Sequence, residues 1–129
     1  MNAEEIEQRA RKWNHTVPRI RTKLPPAFKK KWVKALRSGR YNQGKCWLYT
    51  KEYDVPQYCC LGVACRVAKV PIELIRDKDT IPNRADFKVV PSPIRGYTNH
   101  KQVVKFLTIL NDDLKFSFKD IANWIEARL

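Results

Sequence analysis

Acidic residues are missing from a long stretch of this chain, with none between Glu7 and Glu52. Histidine is scarce as well, two in 129 residues, which leaves little for imidazole catalysis or zinc ligation to draw on. No run of 18 apolar residues occurs, so no membrane-spanning helix is encoded. The N-terminus lacks the basic-then-apolar pattern of a secretory signal, and a cytosolic protein with no membrane partner is the expectation. Also absent are a phosphate loop, a dinucleotide-binding motif, a helix-turn-helix, a zinc-finger spacing and an RNA-recognition signature. There is no internal repeat and no low-complexity tract. No cofactor is expected.

What the chain has in abundance is positive charge, unevenly placed. The formal net charge is +13. Residues 1–45 hold 13 Lys and Arg against three Glu, whereas residues 46–129 hold 13 against ten Asp and Glu. Such asymmetry is the footprint of a surface that meets a polyanion, although solubility of a basic protein leaves a similar trace.

A length of 129 residues fits one domain that buries roughly two thirds of its unfolded surface. The densest apolar run is Tyr58-Cys59-Cys60-Leu61-Gly62-Val63-Ala64-Cys65. Arg66 and Lys69 appear only as it closes, so residues 59–69 read as a buried central helix with its bases at the C-terminal end. Residues 3–13 carry acids in the first turn and bases in the last, as a helix dipole favours, with few apolar positions, and a short surface helix is expected. Residues 14–24 read as an extended connector that would place Arg19, Arg21 and Lys23 on one side. Pro25 and Pro26 open a second helix that Gly39 closes. On it Phe28, Trp32, Val33, Ala35 and Leu36 form a packing face, and Lys30, Lys31, Lys34 and Arg37 a basic ridge.

A short hairpin is expected from residues 46–50 against roughly 54–58. Residues 77–99, with Pro82, Pro91, Pro93 and Gly96, read as a long irregular segment holding one strand at most, near residues 87–90. Thr98 or Asn99 is expected to cap a buried helix over about 100–110, which residues 111–113 then break. Ser117 opens a last helix, with Asp120 three residues on. Its face is expected to hold Phe118, Ile121, Ala122, Ile125 and Leu129, leaving Trp124 to the side. The fold class is therefore α+β, a mainly helical single domain with a small β-hairpin, divided into a basic N-terminal helix or arm over 1–24 and a globular body over 25–129.

Three of the four cysteines lie within seven residues, and a domain of this size has a core without bridges, so reduced thiols are expected. A nucleophilic Cys59 or Cys60 with His100 as base and Asn111 as its orienter would give a cysteine-dependent enzyme. His100 is equally explained by its place at a helix start, and a buried thiol ordinarily behaves as a small hydrophobe. Zinc would need Cys59, Cys60 and Cys65 completed by Cys46 or His100, and adjacent helical cysteines diverge by about 100°. The reading is non-enzymatic, with no metal site.

The segments Trp32-Val33-Lys34-Ala35-Leu36-Arg37-Ser38-Gly39-Arg40-Tyr41-Asn42-Gln43-Gly44-Lys45, Tyr58-Cys59-Cys60-Leu61-Gly62-Val63-Ala64-Cys65, and Leu107-Thr108-Ile109-Leu110-Asn111-Asp112 followed by Ser117-Phe118-Lys119-Asp120-Ile121-Ala122 together resemble a group of small, mostly bacteriophage-encoded hypothetical proteins. The resemblance covers roughly residues 28–66 and 103–129. It implies a phage origin and a shared architecture, and with them the host bacterial cytoplasm as location; it carries no reaction.

Two functions follow as expectations. In the first, Arg19, Arg21, Lys23, Lys29, Lys30, Lys31, Lys34, Arg37, Arg40 and Lys45 bind nucleic acid or another polyanion, each cation neutralising a phosphate in a salt-dependent, largely sequence-independent way. Tyr41, Trp47 and Tyr49 would add base stacking wherever they are exposed rather than packed in the core. In the second, the same surface docks on a host nucleic-acid-handling or defence protein, or captures an anionic nucleotide signal.

Overall fold

The computed structural model describes residues 1–96 and 100–129. Among the described residues there are six α-helices and one antiparallel hairpin, whose tip is exposed: α1 Ala3–Lys12, α2 Pro26–Arg37, β1 Tyr49–Glu52, β2 Val55–Tyr58, α3 Cys60–Val67, α4 Ile72–Ile75, α5 Lys101–Thr108 and α6 Phe118–Arg128. The fold is mainly helical α+β, with one continuous core. No helix among the described residues is long and apolar enough to cross a membrane.

α1 begins with a capping box in which Asn2 Oδ1 accepts from the Glu5 N–H and Glu5 Oε1 accepts from the Asn2 N–H. The expectation of a surface helix needs correction, because Ile6 and Ala10 are fully buried and α1 packs against α6. Glu7 fixes this contact. Its carboxylate accepts from Trp124 Nε1–H at 3.0 Å and from Arg128 at 3.0 and 3.1 Å. Few apolar residues suffice where a buried carboxylate and an indole complete the face. Residues 1–24 thus lie against the body, Val17 and Ile20 touching the core and Leu24 donating its N–H to the Leu129 carbonyl.

α2 starts on Pro26, with Pro25 extended before it, and ends at Ser38 and Gly39, whose φ of +75° suits a residue without Cβ. Trp32, Val33 and Leu36 pack inward, and α2 meets α6 along one side and α3 along another. α3 is apolar on every face but its end, because it is the central element. Trp32 crosses to it, donating Nε1–H to the Cys60 carbonyl at 3.0 Å. A Cβ on Gly62 would collide with the Leu48 carbonyl, so only glycine lets the chain before β1 lie on α3.

The hairpin is shifted from its expected position. Strand β1 begins at Tyr49, because residues 45–47 form a tight turn in which Cys46 has φ +68° and the Trp47 N–H donates to the Lys45 carbonyl at 2.7 Å. Tyr53 and Asp54, at φ +50° and +62°, make the two-residue loop, with both residues left-handed as hairpin twist requires. The register pairs Tyr49 with Tyr58 and Glu52 with Val55.

Residues 77–96 hold no strand. They run as a strap with short 3₁₀ turns at Ala85–Phe87 and Ser92–Ile94, pinned by buried Ile81, Phe87, Val90 and Ile94. Pro91 and Pro93 lack the N–H groups a ladder would need. The cap expected at Thr98 or Asn99 lies outside the described residues. Residues 111–113 do not break the following helix; α5 widens into a π-helical turn over Ile109–Asp113. In α6, Ser117 Oγ accepts from the Asp120 N–H as expected. Trp124, expected at the side, is fully buried against Phe106, because α1 and α5 cover faces of α6 that its own pattern leaves open.

Candidate nucleic-acid interface

The ten candidate cations separate into those engaged with the fold and those facing solvent. Lys23 Nζ donates to the Arg128 carbonyl at 2.8 Å and Lys29 Nζ to the Glu126 carbonyl at 3.3 Å. Both therefore serve the last turn of α6, where unpaired carbonyls and the negative dipole end favour cations. Arg37 makes a fork with Glu126, 3.1 Å to each oxygen, and reaches Asn123 Oδ1 at 2.8 Å. The Glu126 carboxyl is held below its ordinary pKa, first by the Arg37 hydrogen bond and then by that charge.

Lys30, Lys31 and Lys34 are different. They are exposed on the outer face of α2, and none makes a hydrogen bond or ion pair among the described residues. Lys30 and Lys34 join Lys29, Arg37, Pro26 and Val33 in an open groove of about 560 Å³, with Glu126 on its far side; Lys31 lies outside that groove. Arg19, Arg21 and Arg40 are exposed, their side chains without a hydrogen bond or ion pair among the described residues, while Lys45 lines a separate groove beside Trp47 and Lys51. The ridge is thus assembled on α2, and the candidate residues do not converge on one pocket.

The aromatic residues also divide. Tyr49 is 3% exposed and packs at a tilt against Tyr58, and half-buried Tyr41 meets Tyr58 edge-on, so neither ring offers a free face. Trp47 is 41% exposed. Trp13 is 63% exposed, in a groove with Arg9, Lys12 and His15. Its position at the end of a polar helix was the signal in the sequence.

The thiols are free, and only Cys46 is exposed. Burial pushes Cys59 up to about 11, Cys65 up to about 12 and Cys60 well above its ordinary value, which is opposite to an activated nucleophile. Asn111 orients no histidine. Its Oδ1 accepts from the Cys60 N–H at 3.2 Å and Gln43 Nε2 at 3.1 Å, and its Nδ2 donates to the Gly44 carbonyl and Asp112 Oδ1, both at 2.8 Å. Gln43 in turn donates to the Phe116 carbonyl and accepts from the Phe118 N–H. The three sequence motifs meet at this junction, an arrangement that no single motif reveals. Among the described residues no group of three or more His, Cys, Asp or Glu is placed to hold a metal.

Residues 24–70, under half of the chain, match a family model described as "Domain of unknown function (DUF8296)". That span holds α2, its basic ridge, the hairpin and α3. No curated protein and no solved structure matches the chain.

Proposed function

We propose that the protein is a small, basic, non-enzymatic binding protein of phage type that engages nucleic acid through the outer face of α2. One observation carries this reading: Lys30, Lys31 and Lys34 stand exposed, without a hydrogen bond or ion pair among the described residues, on a helix whose other charged side chains are tied to α6. Lysines without internal partners add like-charge repulsion to the fold, and phosphates relieve it. Arg19, Arg21, Arg40 and Lys45 are exposed as well, and the segment that carries all of these cations holds no acid from residue 8 to residue 51.

The test is a fluorescence-anisotropy titration of labelled single- and double-stranded DNA and RNA at two salt concentrations. A variant with Lys30, Lys31 and Lys34 changed to Glu is the comparison, with Arg37 kept because it holds α6. Loss of about three phosphate contacts at ~0.1 M salt corresponds to roughly 10²–10³-fold weaker binding and a shallower salt dependence. Absence of binding at low salt overturns the reading and leaves the same ridge as a docking face for an acidic host protein.

A further inference from the structure

Two of the four tryptophans are structural. Trp32 and Trp124 are fully buried and each indole N–H has an internal acceptor. Trp47 is neither. It leaves the chain at the strained turn over residues 45–47, where a non-glycine residue, Cys46, holds φ +68°, a conformation that costs of the order of 1–3 kcal/mol. The turn is pinned from three directions: the Trp47 N–H donates to the Lys45 carbonyl, the Cys46 N–H to Asp112 Oδ1 at 3.2 Å, and the Cys59 N–H to the Trp47 carbonyl at 3.2 Å. The backbone is therefore rigid where its indole is exposed. The ring stands outside the core cluster and is 41% exposed.

The surroundings define what the ring suits. Trp47 lines an open groove of about 530 Å³ with Lys45, Lys51, Glu52, Gln57 and Gly44. The Gln57 side chain lies over Gly44, where an added Cβ would meet it, and its amide makes no hydrogen bond among the described residues. An aromatic face, two lysines, and an amide and a carboxylate able to read a base edge fit an unpaired nucleotide. A duplex, its bases stacked inside, has nothing to lay on the ring.

We infer that the groove between the 43–47 turn and the hairpin binds a base of single-stranded nucleic acid, stacked on Trp47, with flanking phosphates on Lys45 and Lys51. The inference deepens the proposed function and rests on it for the rest of the strand. It assigns the protein a preference for single strands that the α2 ridge alone does not supply.

The test uses the full chain carrying Trp13→Phe, in which Trp47 is the solvent-facing indole. A single-stranded DNA of about 12 nucleotides and a blunt-ended, loop-free duplex of the same length are titrated while tryptophan emission and its quenching by acrylamide are followed, with anisotropy of the same labelled DNAs in parallel. The single strand is expected to quench the emission and shield it from acrylamide, and the duplex to leave it unchanged. Trp47→Leu should weaken single-strand binding roughly 5- to 150-fold, the range of one lost stacked base, and leave duplex affinity as it was. Single-strand binding with unaltered Trp47 emission and undiminished by Trp47→Leu overturns the inference while the ridge reading stands. A Trp47 response that survives the Lys30, Lys31 and Lys34 reversal, with no duplex binding by the parent protein, upholds the groove and overturns the ridge. Trp47→Phe, which keeps an aromatic face, should recover part of the affinity and guards against a folding defect in the leucine variant.

Discussion

The junction around Asn111 and the outer face of α2 are both polar, and they are built in opposite ways. At the junction the side-chain amides of Gln43 and Asn111 together join three stretches of chain, residues 43–44, Cys60 and residues 111–118. On α2, three lysines standing within five residues find none. The first region ties segments together that share no regular ladder; the second makes no hydrogen bond or ion pair with the fold among the described residues. The difference shows that the number of cations in a segment is a poor guide to binding capacity, since Lys23, Lys29 and Arg37 hold α6 in place.

Breaking the junction should have the largest effect on stability. Asn111→Leu strands the Cys60 N–H and the Gly44 carbonyl and removes one of the three hydrogen bonds of the Gln43 amide, and a loss of about 3–5 kcal/mol is expected in urea unfolding. Glu7→Ala comes next, at about 2–3 kcal/mol, because it leaves the buried Trp124 N–H without an acceptor. Glu7 also gives the protein a pH dependence. Burial works against its charge, but the hydrogen bonds from Arg128 and Trp124 prevail, so its pKa lies below the ordinary 4.5. The stabilisation is therefore complete above 4.5 and fades as pH falls through the folded-state value. Unfolding curves of wild type and Glu7→Gln should converge in acid and stay separate at neutral pH.

Arg37→Ala removes an exposed fork to Glu126, and a change of no more than about 1 kcal/mol is expected. The triple Lys→Glu variant at 30, 31 and 34 completes the series, with stability within about 0.5 kcal/mol of wild type while nucleic-acid affinity collapses. A large loss of stability there would mean that the lysines serve the fold after all. Thiol labelling sharpens the contrast from another side: of four thiols, Cys46 should react quickly, and Cys59, Cys60 and Cys65 only on unfolding.

Much of this architecture could be read from the chain because it rests on local rules. Pro26 and Gly39 bracket α2, Ser117 caps α6, and the apolar stretch before Arg66 is the central helix. The misreadings arose where distant parts decide. Nothing near Trp124 says that Glu7 will accept its N–H, and nothing in residues 111–113 says that Asn111 will turn inward on a π-turn toward Gln43. The hairpin was misplaced because Cys46, a residue with no preference for positive φ, takes one. The ridge was legible as charge; which of its cations are free depended on where α6 ends.

α2 packs most extensively on α6, and that has a consequence for synthesis. When α2 leaves the ribosome, the helix on which it packs most extensively is still roughly 80 residues away, several seconds at ~5–20 residues per second. For that interval the span from residue 24 to 70 shows an apolar flank beside a strongly basic one. α2 gains this partner only when α6 arrives, so a chain cut short before α6 should be insoluble rather than merely less active.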